Sequence, residues 1–262
     1  MTPPTTPPTT PRVRFGPVAR RVRAILFDKD GTLLDAYVLW HALADERLRA
    51  LAETGRLAPE VVAACEAHLG YDREMRRVDP VGPLAVAPQS EEIIVNAGVI
   101  YRMTGIGWTE ARAIVEEAYA KAEERLRARV EQICRPVPGV HETLAALRAA
   151  GVRLGLATTD VIARSEAMLR ASGLLDYFDF LGGRDLVKTG KPHPELAHLV
   201  CARLGVKPEE AVVVGDTPED MLLGRNAGLG LRVGVLTGGG TPETLGPLAD
   251  VVIDSVAQIR PD

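Results

Sequence analysis

The stretch Leu26–Asp35, LFDKDGTLLD, decides how the chain is read. It closes the apolar run Val22–Asp28, VRAILFD, with two carboxylates two residues apart and a glycine directly behind them. A short apolar, β-branched run that stops at polar residues and glycine reads as a strand buried on both faces. The pattern returns later in VRLGLATT (Val152–Thr159), FDFLGG (Phe178–Gly183), AVVVGD (Ala211–Asp216), LRVGVL (Leu231–Leu236) and DVVID (Asp250–Asp254). Helical patterns lie between them, in GVHETLAALRAAG (Gly139–Gly151), VIARSEAMLRASG (Val161–Gly173) and PELAHLVCARLG (Pro194–Gly205), each stopping at a glycine. Strand and helix in alternation predict an α/β fold with a doubly wound, Rossmann-like parallel sheet.

From about Ala36 to Arg135 the alternation breaks. VLWHALADERLRALAETG, PEVVAACEAHLG, SEEIIVNAGVIYRMTG and TEARAIVEEAYAKAEERLRARVEQI follow one another as helices, around a proline- and glycine-rich loop, DPVGPLAVAP (Asp79–Pro88). This predicts an all-helical domain over residues 36–135, inserted into a core made of residues 22–35 and 136–262. The first 21 residues, opening MTPPTTPPTTPRVRFGPVAR, read as a disordered Pro/Thr-rich tail with solvated arginines.

Composition narrows the function classes. The 262 residues are 46% hydrophobic and 25% charged, enough for one large or two modest cores. A net charge of −4 offers no electrostatic ground for nucleic acid or an anionic membrane as partner. Cys65, Cys134 and Cys201 are odd in number and far apart, which fits buried thiols in a reducing compartment. No apolar run approaches the ~18–20 residues of a membrane span, and the tail lacks the apolar stretch of a signal peptide. The expectation is a cytoplasmic enzyme, monomer or homodimer.

Open parallel sheets bind ligands at the C-terminal ends of their strands. Four pieces converge there: Asp28-Lys29-Asp30-Gly31-Thr32, Thr158-Thr159-Asp160, Lys191 in KTGKPHPE, and Gly215-Asp216-Thr217-Pro218-Glu219-Asp220. Singly they read as a turn, a helix N-cap, a loop lysine and a capped helix start. In this order, each at a strand end, they read as one site.

These motifs, D-x-D-G-T-L with K-P and G-D-x-x-x-D, resemble those of phosphatases of the haloacid dehalogenase superfamily. The resemblance runs from about Arg23 to the C-terminus, and the helical insertion matches the cap that one subgroup carries between its first two motifs. Within the superfamily the chain looks most like phosphoglycolate-phosphatase-like enzymes. The resemblance implies that Asp28 is the nucleophile and a metal ligand, forming an aspartyl-phosphate. Asp30 would bind the metal through its carbonyl and serve as general acid and base. Asp216 would be a direct ligand and Asp220 an indirect one. Thr158 and the Thr159 N–H would hold phosphoryl oxygens, and Lys191 would offset their charge. Four aspartates at one sheet edge need a cation to stay ionised together, and a hard oxygen-loving ion such as Mg²⁺ suits them. The implied substrate is a small phosphorylated metabolite, phosphoglycolate-like or a sugar phosphate. A phosphomutase keeps both aspartates and is the alternative; a non-catalytic phosphate-binding module would have lost one or more of these residues.

Other residues carry competing expectations. Lys29 alternates to the other side of the strand end and is expected to face solvent or link to the cap. After Thr158, where many relatives have an asparagine or serine before the helix, the chain has Thr159 and then Asp160, and Asp160 is expected to cap the helix at Val161. Lys191 rather than Lys188 precedes the proline, and His193 is expected to structure that loop. Tyr37, Trp40 and His41 either line the site entrance or pack the first cap helix. Arg73, Arg76, Arg77 and the segment Asp79–Ser90 either project over the site or form a solvated basic helix end.

Overall fold

The computed structural model describes residues 10–262, in two compact units. The α/β unit takes the described residues up to Leu33, then Val137–Ala163 and Leu174–Asp262; the helical unit takes Leu34–Pro136 and Arg164–Gly173.

The chain enters through β1 (Arg12–Phe15) and β2 (Val18–Arg21), an antiparallel hairpin. The disordered tail expected over residues 1–21 is therefore corrected for Arg12–Arg21; residues 1–9 lie outside the described part. The physical reason is an alternation inside R-V-R-F: Val13 and Phe15 are fully buried, while Arg12 and Arg14 ion-pair with Asp262 at 3.0 and 2.8 Å. The strand β3 (Ala24–Phe27) follows, every side chain buried.

The helical unit comes next: α1 (Ala36–Glu53), α2 (Pro59–His68), the two-residue strands β4 (Tyr71–Asp72) and β5 (Arg77–Val78), α3 (Pro83–Val86), α4 (Gln89–Thr104), α5 (Trp108–Arg127) and α6 (Val130–Ile133). Asp35 caps α1, its Oδ1 accepting from the N–H groups of Tyr37 and Val38. Helix α5 packs on α1 and α4, burying Leu43, Leu51, Ile114 and Ala118. The same interior holds a buried Arg47–Glu92 ion pair, with the Arg47 guanidinium 4.7 Å over the Tyr119 ring and Asn96 donating to the Tyr119 hydroxyl at 3.0 Å. Two local details differ from the sequence reading. A ribbon joins Tyr71 to Val78, and α3 interrupts the loop Asp79–Pro88, burying Leu84.

The rest of the chain alternates: α7 (Val140–Ala149), β6 (Arg153–Ala157), α8 (Ile162–Ala171), β7 (Phe180–Gly182), α9 (Glu195–Leu204), β8 (Ala211–Gly215), α10 (Pro218–Ala227), β9 (Leu231–Val235), α11 (Pro242–Leu245), β10 (Val251–Ile253) and β11 (Ile259–Pro261). Six strands pair in the order β10-β9-β8-β3-β6-β7, all parallel, which is the expected α/β sheet. β11 pairs with β1 to make a second, three-stranded sheet. The apolar strands meet α9 and α10 in one cluster of Leu26, Ala157, Leu196, Val200, Leu204 and Leu223, each leucine or valine side chain contributing roughly 1.5–3 kcal/mol. All three cysteines are free and buried, and burial pushes Cys65 and Cys201 up to about 12 and about 11. Among the described residues no helix is long and apolar enough to cross a membrane.

Candidate active site

β3 and β8 lie side by side, and the Asp28 N–H donates to the Val214 carbonyl at 2.9 Å, so the two strands end together. Past β3 the chain turns through Gly31, whose φ of +80° favours glycine. Past β8 it enters α10 through a capping box: Asp220 Oδ2 accepts from the Thr217 N–H and hydroxyl at 3.1 and 2.7 Å, and Thr217 Oγ1 accepts from the Asp220 N–H. Carboxylate oxygens of Asp28, Asp216 and Asp220 consequently come within 4.8 Å of one another.

Lys191 arrives from the loop before α9. Its Nζ lies 2.6 Å from Asp28 Oδ1 and 2.5 Å from Asp220 Oδ1, bridging the two. The backbone beside it is held by Asn226, which donates to the Pro192 carbonyl at 2.9 Å. Burial disfavours the Lys191 charge, but Asp220 and Asp28 outweigh it and raise its pKa. Asp28 is pushed up to about 7, by burial first, with Lys191 opposing and Asp220 adding to the rise. Asp216 lies well above the usual carboxylate range, through burial and then its neighbours Asp28 and Asp220.

Asp216 is gripped by neutral donors, the Thr32 hydroxyl at 3.2 Å on Oδ1 and the Gly239 N–H at 2.9 Å on Oδ2. A Cβ on Gly31 or on Gly238 would sit 2.4 or 1.9 Å from Asp216 Oδ2, so both glycines let the backbone close around this carboxylate. Thr237 ties the two loops, its hydroxyl donating to the Gly31 carbonyl at 2.5 Å. Three carboxylates stand together, two of them bridged by Lys191, and the donor atoms are all oxygen. Such a set fits a hard divalent cation.

Thr158 is buried at the end of β6, its N–H bonded to the Gly182 carbonyl, while Thr159 beside it is exposed. Asp30 is half-buried; its Oδ1 is shielded and without a hydrogen-bond partner among the described residues. Its Oδ2 meets Lys29 at 2.6 Å. Here the structure corrects the expectation of a solvent-facing or cap-linking lysine: Lys29 is fully buried, and its Nζ also lies 3.4 Å from Asp160 Oδ2. Two carboxylates supply the charge that makes burial of the ammonium tolerable. Asp160 does accept from the Val161 N–H, at 2.9 Å, but the Ile162 N–H at the start of α8 is taken by Asp185 at 3.0 Å. His193 Nδ1 accepts from the Glu195 N–H at 3.4 Å and stays within its loop, and Lys188 is exposed.

In the helical unit, Trp40 is buried in α1 with Tyr37 edge-on at 5.2 Å. The His41 ring lies 5.7 Å from that of Tyr71, and its pKa is lowered by burial and then by Arg76. Arg73 and Arg76 face Asp45 at 3.7 and 3.3 Å, and Asp45 also accepts from the Tyr71 hydroxyl at 2.9 Å. Arg77 is exposed in β5. The sequence reading missed Thr237, Gly238 and Gly239, and it placed Thr32 at the site without its bond to Asp216. The run T-G-G-G behind the strand L-R-V-G-V was the available signal, since glycines past a parallel strand mark close backbone approach.

A parallel sheet that gathers carboxylates and a bridging lysine beyond its strand ends defines a Rossmann-like α/β core with an acidic centre. Residues 22–228 match the family model of haloacid dehalogenase-like hydrolases, and the chain belongs to that family. It is 39% identical over 123 residues to the probable phosphatase IndB of Dickeya dadantii (strain 3937), a match over 47% of this chain and 53% of that protein, about half its length. It is 28% identical to the N-acetylmuramic acid 6-phosphate phosphatase of Pseudomonas aeruginosa, over 89% of this chain and 91% of the relative. The crystal structure of a predicted phosphoglycolate phosphatase from Haemophilus somnus 129PT superposes with a TM-score of 0.66 at 23% identity, over 90% and 95% of the two chains, and shares the fold.

Proposed function

We propose that the protein is a Mg²⁺-dependent phosphatase of small phosphomonoesters, phosphoglycolate-like or sugar phosphates, working through an aspartyl-phosphate on Asp28. The observation that carries this is the Lys191 bridge between Asp28 and Asp220, with Asp216 alongside. It leaves one carboxylate at the strand end flanked by a cation and by an oxygen donor set. Asp28, Asp216 and the Asp30 carbonyl would hold the metal, and Asp220, both of whose oxygens are engaged, would support it. The ion would supply positive charge between nucleophile and phosphoryl group.

Asp28 attacks phosphorus; the new O–P bond forms as the bond to the ester oxygen breaks, and Asp30 passes a proton to the departing alkoxide. Asp30 then takes a proton from water, which attacks the aspartyl-phosphate, releases inorganic phosphate and restores Asp28. The Thr158 hydroxyl and Thr159 N–H would hold phosphoryl oxygens, and Lys191 offsets the charge that spreads over them. Substrate selection is assigned to the insertion, residues 36–135. The two relatives named as phosphatases support this chemistry.

The test is release of inorganic phosphate from a panel of phosphate esters, with Mg²⁺ and with chelator, by the wild type and Asp28→Asn. Turnover is expected with Mg²⁺ alone and lost in the variant, because an amide is a poor nucleophile. Bisphosphate-stimulated isomerisation with little free phosphate would indicate a mutase instead, and near-normal activity of Asp28→Asn would remove the assigned mechanism.

A further inference from the structure

We propose that Lys29 is a positioning residue for Asp30, anchored on Asp160, and that these three side chains form one strut between the first catalytic loop and the phosphate-holding loop. The inference rests on the phosphatase activity proposed above and goes beyond it. Four observations carry it. Lys29 is fully buried beneath the strand ends, so its ammonium has a fixed place. It binds one oxygen of Asp30, Oδ2 at 2.6 Å, while Oδ1 has no hydrogen-bond partner among the described residues. Its second contact is Asp160 Oδ2 at 3.4 Å. Asp160 is itself immobilised by backbone bonds: its Oδ1 accepts from the Val161 N–H at 2.9 Å, its carbonyl from the Arg184 N–H at 2.9 Å, and its own N–H donates to Thr158 Oγ1 at 3.2 Å.

The geometry has a direct consequence for catalysis. A short carboxylate beside a reacting group has several rotamers, and only some point an oxygen at the ester oxygen. By seizing Oδ2, Lys29 selects one orientation and leaves Oδ1 for the proton. The Asp160 N–H on Thr158 Oγ1 uses a lone pair of that hydroxyl, so its hydrogen is directed elsewhere. The acid–base carboxylate and the phosphate-holding hydroxyl are thus indexed to the same post. The pair also accounts for the aspartate at position 160: its charge is spent on Lys29.

A competing account treats Lys29 as one more positive charge for the substrate dianion. The two diverge with leaving group. Proton donation matters for alkyl phosphates, whose alkoxides leave poorly, and hardly at all for 4-nitrophenyl phosphate. Removal of an acid–base orientation should therefore split the substrates, whereas loss of bulk charge should affect both.

The experiment compares wild type, Lys29→Met and Asp160→Asn, measuring kcat and KM for glycerol phosphate and 4-nitrophenyl phosphate with Mg²⁺. Lys29→Met should lower kcat/KM, which reports only transfer of the phosphoryl group to Asp28, by about 10²-fold for the alkyl ester and by less than about threefold for the aryl ester, since general acid–base help is worth roughly 10²–10⁴-fold; kcat should fall for both, because Asp30 also activates the water that hydrolyses their shared aspartyl-phosphate. Asp160→Asn should show the same split at smaller amplitude. Crystal structures of both variants should show the Asp30 carboxylate turned or spread over rotamers. Equal losses of kcat/KM on the two esters or an unmoved Asp30 would overturn the proposal. If the wild type released phosphate from no ester, the phosphatase activity would fall, while the Asp30 rotamer would still decide the positioning role. If Lys29→Met failed to fold, Asp160→Asn, which keeps the lysine and the side-chain shape, would supply both readouts.

Discussion

Substitution of Gly238 by alanine should disable the proposed metal centre without unfolding the protein. An added Cβ would lie 1.9 Å from Asp216 Oδ2, 2.5 Å from its Cγ and 2.7 Å from the Gly31 Cα. To recover the 3.4 Å of ordinary contact, the carboxylate or the loop must retreat by about 1.5 Å. Asp216 cannot retreat while it keeps its bonds to Thr32 and the Gly239 N–H, each worth roughly 1.5–3 kcal/mol to a charged group. A misplacement of about 1 Å can cost 10²-fold in rate, so Mg²⁺ affinity and kcat/KM should each fall by about 10²-fold or more. Calorimetric titration with Mg²⁺ and phosphate release at saturating Mg²⁺ measure the two. Gly107→Ala is the control, since nothing lies within 4 Å of its added Cβ. A folded Gly238→Ala variant that binds Mg²⁺ like the wild type would refute the argument that this glycine exists to admit Asp216.

Two further outcomes are expected. Glu92→Ala strands Arg47 inside the helical unit and should cost about 3–5 kcal/mol in urea unfolding, whereas Arg47→Met with Glu92→Leu should cost less. Asp250 receives both Nε and a terminal nitrogen of Arg232, at 3.0 and 2.8 Å, and these bonds hold its carboxyl below the usual range. A lowered folded pKa gives stability that is present above the ordinary value of 3.8 and lost as pH falls through the folded one. Asp250→Asn should therefore cost up to about 1 kcal/mol at pH 7 after solvent screening. In thermal melts that difference should vanish as pH falls below the folded pKa, and a gap of constant size would argue against the pair.

The parallel sheet was legible because its strands are nearly continuous apolar runs, Asp28, Asp30 and Asp216 because carboxylates directly follow such runs, and Lys191 because it precedes a proline in the loop after another. What escaped has physical causes. The hairpin Arg12–Arg21 has the period-2 pattern in Val13 and Phe15, but proline and threonine just before it mask four residues of alternation. Its third strand, Ile259–Pro261, lies at the other end of the sequence, where no local signal reports the pairing. Lys29 was misread because strand alternation no longer holds where the chain turns, and the two partners that bury it come from different loops. Thr237 and Gly239 carry no charge, so only the folded loop reveals what they touch.

The insertion that follows β3 has a consequence for synthesis. Ala24 pairs with Arg153 on one side and Ala211 on the other, so the central strand of the sheet is made long before either neighbour exists. At roughly 5–20 residues per second, the nearer neighbour is on the order of ten seconds away. Through that interval Leu34–Pro136 of the helical unit are already made and α5 can pack on α1 and α4, while Ala-Ile-Leu-Phe waits without its sheet partners. The sheet is nucleated late around its oldest strand. That strand is therefore the segment a nascent chain most needs to have shielded, and the place where slowed translation or a missing chaperone should first show itself as aggregation.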